Sequence, residues 1–256
     1  VTITGPAVLT ANVDIDVTAN SSDTDEGDIS FSSTINDTDG SSPFSLTLDG
    51  DGGAISVSGI IGGTNKVGAI SINNTGGDGT VSLAGIGNSS ANSGDGAAGN
   101  EGLVNIGNTA TASVTLAGGF YMTDGATVIK AKSGGGGENI NFSAATTFKT
   151  VNDNLTFGTS AIDLGNGANL TVNTGSGNIV LTDIHGDSAE TVSITSTGTV
   201  SVQEIGNGAE ISTVGITGST ITLNDNITTD NNGDVTLTGA VELDTAAITI
   251  DTSATT

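Results

Sequence analysis

The only histidine, His185, stands in the run DIHGDS (Asp183 to Ser188), with Asp183 and Asp187 beside it and Glu204 one phrase further along. An imidazole among carboxylates is raw material for general acid–base chemistry, because its ordinary pKa lies near neutrality. The rest of such a site is missing. The chain has no Arg and only four Lys, so little is available to steady a developing oxyanion or to hold an acidic sugar. Aromatic residues are 3% of the chain, with no Trp and one Tyr, which leaves few rings for a sugar to stack on. The expectation is an exposed corner histidine just after a strand, and no catalysis.

A second chemistry is suggested by runs of Asp and Asn among glycines: TDEGD (Thr24 to Asp28), LDGDGG (Leu48 to Gly53), TGGDGT (Thr75 to Thr80) and TDNNGD (Thr229 to Asp234). Several oxygens gathered on one loop suit Ca²⁺. The candidate ligands are Asp49, Asp51, Asp78, Asp230 and Asp234. None of these runs has the EF-hand spacing, and GGDGT lacks the remainder of the calcium-binding nonapeptide. Turns select the same residues for their backbone angles alone. Two readings therefore stand, corners that take Ca²⁺ and corners that are turns only, and neither requires a cofactor.

Charge excludes several partners. The formal net charge is −24, which repels phosphate backbones and removes the Lys/Arg contacts on which nucleic-acid affinity depends. No stretch approaches the roughly 18 apolar residues of a membrane span, so direct membrane insertion is not expected. There is no Cys, and hence no disulfide framework. The chain begins at Val1 and reads as a processed product or an excerpt, with any export signal outside it.

The elements that must carry these residues are repeated. GNIVLTDI (Gly177), GTVSVQEI (Gly198) and STITLNDNI (Ser219) put Ile179, Val200 and Ile221 at steps of 21 residues. DISFSSTI (Asp28), GAISVSGI (Gly53) and GTVSLAGI (Gly79) put Ile29, Ile55 and Val81 at steps of 26. The same phrase recurs in SVTLAGGF (Ser113), NINFSAA (Asn139) and GDVTLTGAV (Gly233), and a second strand phrase runs between copies, as in FSLTL (Phe44), AISI (Ala69) and NLTV (Asn169). Each alternates apolar and small polar residues, the mark of a strand with one buried face. A constant step of 21 to 26 residues matches one coil of a solenoid. The fold expected is all-β: a right-handed parallel β-helix, one continuous domain over 1–256, with corner loops inserted near 87–102 and 132–138. An array of β-sandwiches is the alternative, although it would more often show a central Trp or a corner Tyr.

The two ends resemble each other. Val1, Ile3, Gly5 and Leu9 match Val235, Leu237, Gly239 and Leu243 at an offset of 234, and Val13 and Ile15 match Ile248 and Ile250 at 235. Segment 235–256 thus repeats 1–18. Neither phrase reads as a polar cap of the kind that blunts a solenoid edge. The expectation is a super-repeat of about 234 residues in a tandem array, or separate units stacking head to tail, with Val1, Ile3, Val13, Ile15, Ile248 and Ile250 at the junction.

Phrases such as ITLNDNITTDNNGDVTLTGAVELDTAAITIDTS (Ile221 to Ser253) and SLTLDGDGGAISVSGIIGGTNKVGAISI (Ser45 to Ile72) resemble the repeats of giant bacterial surface proteins of the filamentous-haemagglutinin type. The resemblance runs along nearly the whole chain. It implies a right-handed parallel β-helix exported to the cell surface as an adhesin stalk, matrix component or filament. Its partners would be further copies or repeats of itself, and other cells or matrix polysaccharide. A carbohydrate-binding or carbohydrate-cleaving β-helix is the alternative, to be recognised by a groove of clustered aromatics and carboxylates on one face. An ice-binding face is disfavoured. TIT at Thr2 and Thr220 has no Thr-x-Thr counterpart at Asn178 and Val180 or at Ala54 and Ser56.

Overall fold

Successive coils can pair only if each strand meets the strand one coil earlier in parallel register, and the described strands obey that rule. The computed structural model describes residues 1–17, 27–38, 41–88, 98–133, 138–207, 211–230 and 232–254. They form a parallel β-solenoid of about nine turns of about 24 residues, without helix. The first coil holds β1 (Thr2–Ile3), β2 (Ala7–Leu9) and β3 (Val13–Asp16), and the second β4 (Ile29–Phe31), β5 (Ile35–Asp37) and β6 (Leu46–Asp49). In the next two coils, β7 (Ile55–Val57) with β8 (Ile70–Ile72), then β9 (Thr80–Leu83) with β10 (Val104–Ile106), single bridges at Ile61 and Ile86 replace the middle strand.

Full three-stranded coils follow. They are β11 (Ser113–Leu116), β12 (Phe120–Thr123) and β13 (Thr127–Lys130); β14 (Ile140–Phe142), β15 (Thr146–Thr150) and β16 (Leu155–Gly158); β17 (Ile162–Leu164), β18 (Leu170–Asn173) and β19 (Ile179–Leu181); then β20 (Ile184–Gly186), β21 (Glu190–Thr195) and β22 (Thr199–Val202). A bridge at Ile205 opens the next coil, whose other two faces are both made by β23 (Ile211–Leu223). The last strands are β24 (Ile227–Asp230), β25 (Asp234–Leu243), which spans two faces as β23 does, and β26 (Ile250–Ala254).

The prism has three faces, where the sequence phrases suggested two strands per coil. The ladders themselves are where the repeat steps put them: Ile29, Ile55 and Val81 pair in register, as do Ile179, Val200 and Ile221, and Ile184, Ile205 and Ile227. The first and third of these belong to the first face, which runs from β1 to β26. Ile179, Val200 and Ile221 belong to the third, so phrases that read alike lie on different sides of the prism. The inserted loops fall at corners. Their described flanks join Ile86 to β10 and β13 to β14, while 89–97 and 134–137 lie outside the described residues.

Inward positions carry Ile, Val and Leu, nearly all at 0–1% exposure, and burying each such side chain contributes about 1.5–3 kcal/mol. Midway along the rod the lining changes. Tyr121 stacks on Phe148 at 4.8 Å between centroids, and Phe157 meets Phe148 edge-on at 5.4 Å. The Tyr121 hydroxyl donates to the Leu83 carbonyl at 2.6 Å, and burial holds its pKa well above the usual phenol range. Corners are tight: a Cβ on Gly118 would lie 1.5 Å from the Ala84 carbonyl oxygen of the coil before.

The corners also explain the wealth of Asn and Asp. A residue immediately before a strand turns its side-chain oxygen onto the backbone N–H of the next coil, extending the ladder past the strand's end. Asn154 accepts from Asn178 N–H at 2.8 Å, Asn178 from Thr199 at 2.9 Å and Asn169 from Thr191 at 2.8 Å. Asp28 does the same for Ala54 at 2.9 Å. Because Phe148 touches three other rings, Phe148→Ala is expected to cost about 3–5 kcal/mol in denaturant unfolding. A loss under 1 kcal/mol would mean that the ring cluster does not support the core.

Candidate functional site

Three places could act on something else: the acidic patch around His185, the Asp-bearing corners, and the two open ends. His185 lies within β20 rather than after a strand, because Ile184 continues the inward ladder of the first face and turns the next side chain outward. It is not an exposed corner residue. Its side chain is 19% exposed, it pairs in register with Asp163, and its Nδ1 contacts the Glu138 carboxylate. Nε2 is buried without a hydrogen-bond partner.

Burial raises the Asp163 pKa, and the charges of Asp187 and Glu138 add to that while His185 opposes it. Burial likewise raises that of Glu204, reinforced by Asp225 and Asp183 against His185. Of the acids near it in the chain, Glu204 feels the imidazole directly, while Asp183 acts on Glu204 and Asp187 on Asp163. Asp163 and Glu138 belong to the patch as well and were not legible, because both come from earlier coils.

Glu190, at the start of β21, was also missed. It is wholly buried, and its carboxylate accepts from the N–H groups of Gly167, Asp187 and Ser188 at 2.8–2.9 Å and from the Ser188 hydroxyl at 2.8 Å. Burial pushes its pKa up, but the hydrogen bonds from Ser188 and Gly167 outweigh this and hold it below the ordinary value. Glu190 thereby fastens the first-to-second-face corner of one coil to that of the coil before.

The five calcium candidates fall in two places. Asp49, Asp51 and Asp78 share the corner between the third and first faces in successive coils, where the Asp51 carbonyl accepts from Gly79 N–H at 3.1 Å. Asp49 Oδ1 accepts from Asp51 N–H at 3.1 Å, and Asp51 takes a left-handed φ of 50°, a conformation that Asp adopts readily. Asp230 and Asp234 flank the corner between β24 and β25, where Gly233 N–H donates to the Asp230 carbonyl at 2.9 Å. Among the described residues no three His, Asp or Glu side chains converge as an ion-holding set. Residues 24–26 of TDEGD and position 231 of TDNNGD lie outside the described residues.

The ends are apolar cross-sections of the core. Val1 is 53% exposed, Val241 44%, Leu243 59% and Ile250 45%, whereas Ile29, Ile221, Leu223 and Ile227, their ladder neighbours one coil inward, are at 0%. Ile3, Val13, Ile15 and Ile248 are partly buried against the core. Each residue expected at a junction therefore lies at one end or the other. Two surface hollows, of about 100 Å³ beside Met122 and Lys149 and about 190 Å³ beside Ile60 and Phe120, fall short of the roughly 300 Å³ at which ligand pockets begin. No family model, curated protein or solved structure matches the chain.

Two outcomes are expected in solution. Asp163 and Glu204, with pKa values raised above the ordinary 3.8 and 4.5, bind protons more readily folded than unfolded, so acidification toward those ordinary values should stabilise. The contribution of Glu190, with a lowered pKa, is present above its ordinary 4.5 and is lost as pH falls through the folded value. A melting temperature measured against pH should therefore rise and then fall. Glu190→Gln should cost about 1–3 kcal/mol at pH 7 and flatten the acid limb. Because the Asp28 and Asp49 oxygens already accept backbone N–H groups, EDTA at constant ionic strength should leave the melting temperature unchanged. A fall beyond the salt control would assign an ion to these corners.

Proposed function

We propose that the chain is a structural segment of an extracellular or bacterial cell-surface fibre, filament or adhesin stalk, of the filamentous-haemagglutinin type its phrases resemble, and that it is not an enzyme. The observation that carries this is the parallel coil-to-coil ladder that runs along each face, from β1 to β26 on the first. A ladder of this kind accepts further strands of like register at its edges, either by stacking or along a tandem chain, which suits it to a fibre. The material in between suits a spacer: coil-to-coil hydrogen bonds and an aliphatic core, under an exterior of Thr, Ser, Asn and Asp.

A carbohydrate-handling groove needs aromatic faces toward solvent, and Tyr121, Phe142, Phe148 and Phe157 are instead packed together inside. Itself, in the form of further units, is the first partner; other cells or matrix polysaccharide would be met by parts of the assembly that carry recognition.

The edge can be tested without disturbing the fold. Asp244 N–H donates to the Leu223 carbonyl at 3.0 Å, so alternation along β25 turns the Val241 and Leu243 backbone groups toward the open end. Val241→Pro removes a donor only there. By contrast, the Thr249 N–H is used within the chain, on Asn226 Oδ1 at 2.7 Å, and a proline at Thr249 would damage the body as well. Electron microscopy of the purified chain is expected to show rods built from units of about 50 Å, given strands ~4.8 Å apart, and Val241→Pro should shorten or abolish them with an unchanged circular dichroism spectrum. Rods of normal length in that variant would count against axial stacking.

A further inference from the structure

The three faces dictate how one unit can meet the next. β26 already lies on the first face above β24, so the open positions at that level are on the second and third faces, above the two halves of β25. A second copy set down unturned puts β1 over β26 and leaves β2 and β3 one strand level, about 4.8 Å, clear of anything beneath. A copy turned by one face puts β1 over the first half of β25, β2 over the second half and β3 over β26. Every level is then filled.

The sequence match, a separate observation, selects the same arrangement. Turned by one face, the second copy sets Ile3 over Leu237, Leu9 over Leu243 and Ile15 over Ile250, which are the pairs matched at offsets of 234 and 235. The side-chain direction agrees. Ile3 and Ile15 face inward, in register with Phe31 and Leu48, and Leu237 and Leu243 do so in register with Ile216 and Leu223. The hydrogen-bond phase agrees too. Val1 and Ile3 turn their carbonyls toward the body, accepting from Ser30 and Ser32, and Val13 and Val17 turn their N–H groups the same way. Thr2, Asp14 and Asp16 therefore face the open end. At the other end Ile227 donates to the Thr249 carbonyl, which leaves the Ile250 groups pointing outward to meet Asp14 and Asp16.

Gly5 falls over Gly239 in this arrangement. A Cβ on Gly239 would lie 1.9 Å from the Gly218 carbonyl oxygen, while one on Gly5 would meet nothing within 4 Å, so the tight corner of the body continues into a space that is empty in the single chain. Among the described residues, the matched strands bring one like-charge pair together, Asp16 beside Asp251, similar to the registered pair Asp16 and Asp49 already present.

We propose that a second copy of this chain docks on the β25–β26 edge turned by one face, stacking like strand on like strand. This rests on the fibre reading and adds its geometry. The chain has no Cys, so introduced thiols report position cleanly. In the turned arrangement Thr2 lies about 4.8 Å from Thr236 of the next copy, within disulfide reach; unturned, it lies over Asp251.

Thr2→Cys chains mixed with Thr236→Cys chains should form a disulfide-linked dimer under mild oxidation, and Thr2→Cys mixed with Asp251→Cys should not. Thr2 and Thr236 are both exposed, and a wild-type melting curve for each variant confirms that the fold is intact. Rods that form but cross-link through Asp251→Cys overturn the turn and leave the fibre reading standing. A chain that stays single by sedimentation and microscopy, with no cross-link in either mixture, overturns both.

Discussion

Parallel backbone hydrogen bonding between consecutive coils is the constraint on which everything else rests. It fixes which residue lies over which, and it forces inward side chains into straight columns. A column admits only what fits over its own neighbour, so aliphatic residues repeat and corners such as Gly118 close to backbone contact. Each coil is stabilised chiefly by the two that flank it. Stability is therefore distributed along the rod rather than gathered in one coil. The aromatic stack around Phe148 lies far from both ends, where the columns are most fully supported.

The same constraint accounts for what the sequence discloses. A ladder demands a step, and the steps of 21 and 26 residues identified true registers at Ile179, Val200 and Ile221 and at Ile29, Ile55 and Val81. The number of faces was not legible, because alternation with period two looks the same on every face of a prism. GAISVSGI and GNIVLTDI read as one phrase, yet they lie on different faces.

The acidic patch was legible only within its own coil. Asp183, Asp187 and Glu204 lie near His185 in the chain, whereas Asp163 and Glu138 reach it across coils, through a register that must be known first. Glu190 illustrates a different limit. A buried carboxylate with four donors looks, in sequence, like one more acid in an acidic chain. The terminal match between 1–16 and 235–251 was legible as words, but its meaning changed: matched strands lie on successive faces, β1 against the first half of β25 and β3 against β26.

The corner acceptors have a consequence for how this surface can vary. Asn154, Asn169 and Asn178 use only Oδ1 to reach the next coil, and Asp28 and Asp183 make the same bond with a carboxylate oxygen. Amide and acid are interchangeable there, so an Asn-to-Asp exchange at a corner adds a negative charge while leaving the ladder intact. The net charge of such a rod is thereby uncoupled from its architecture.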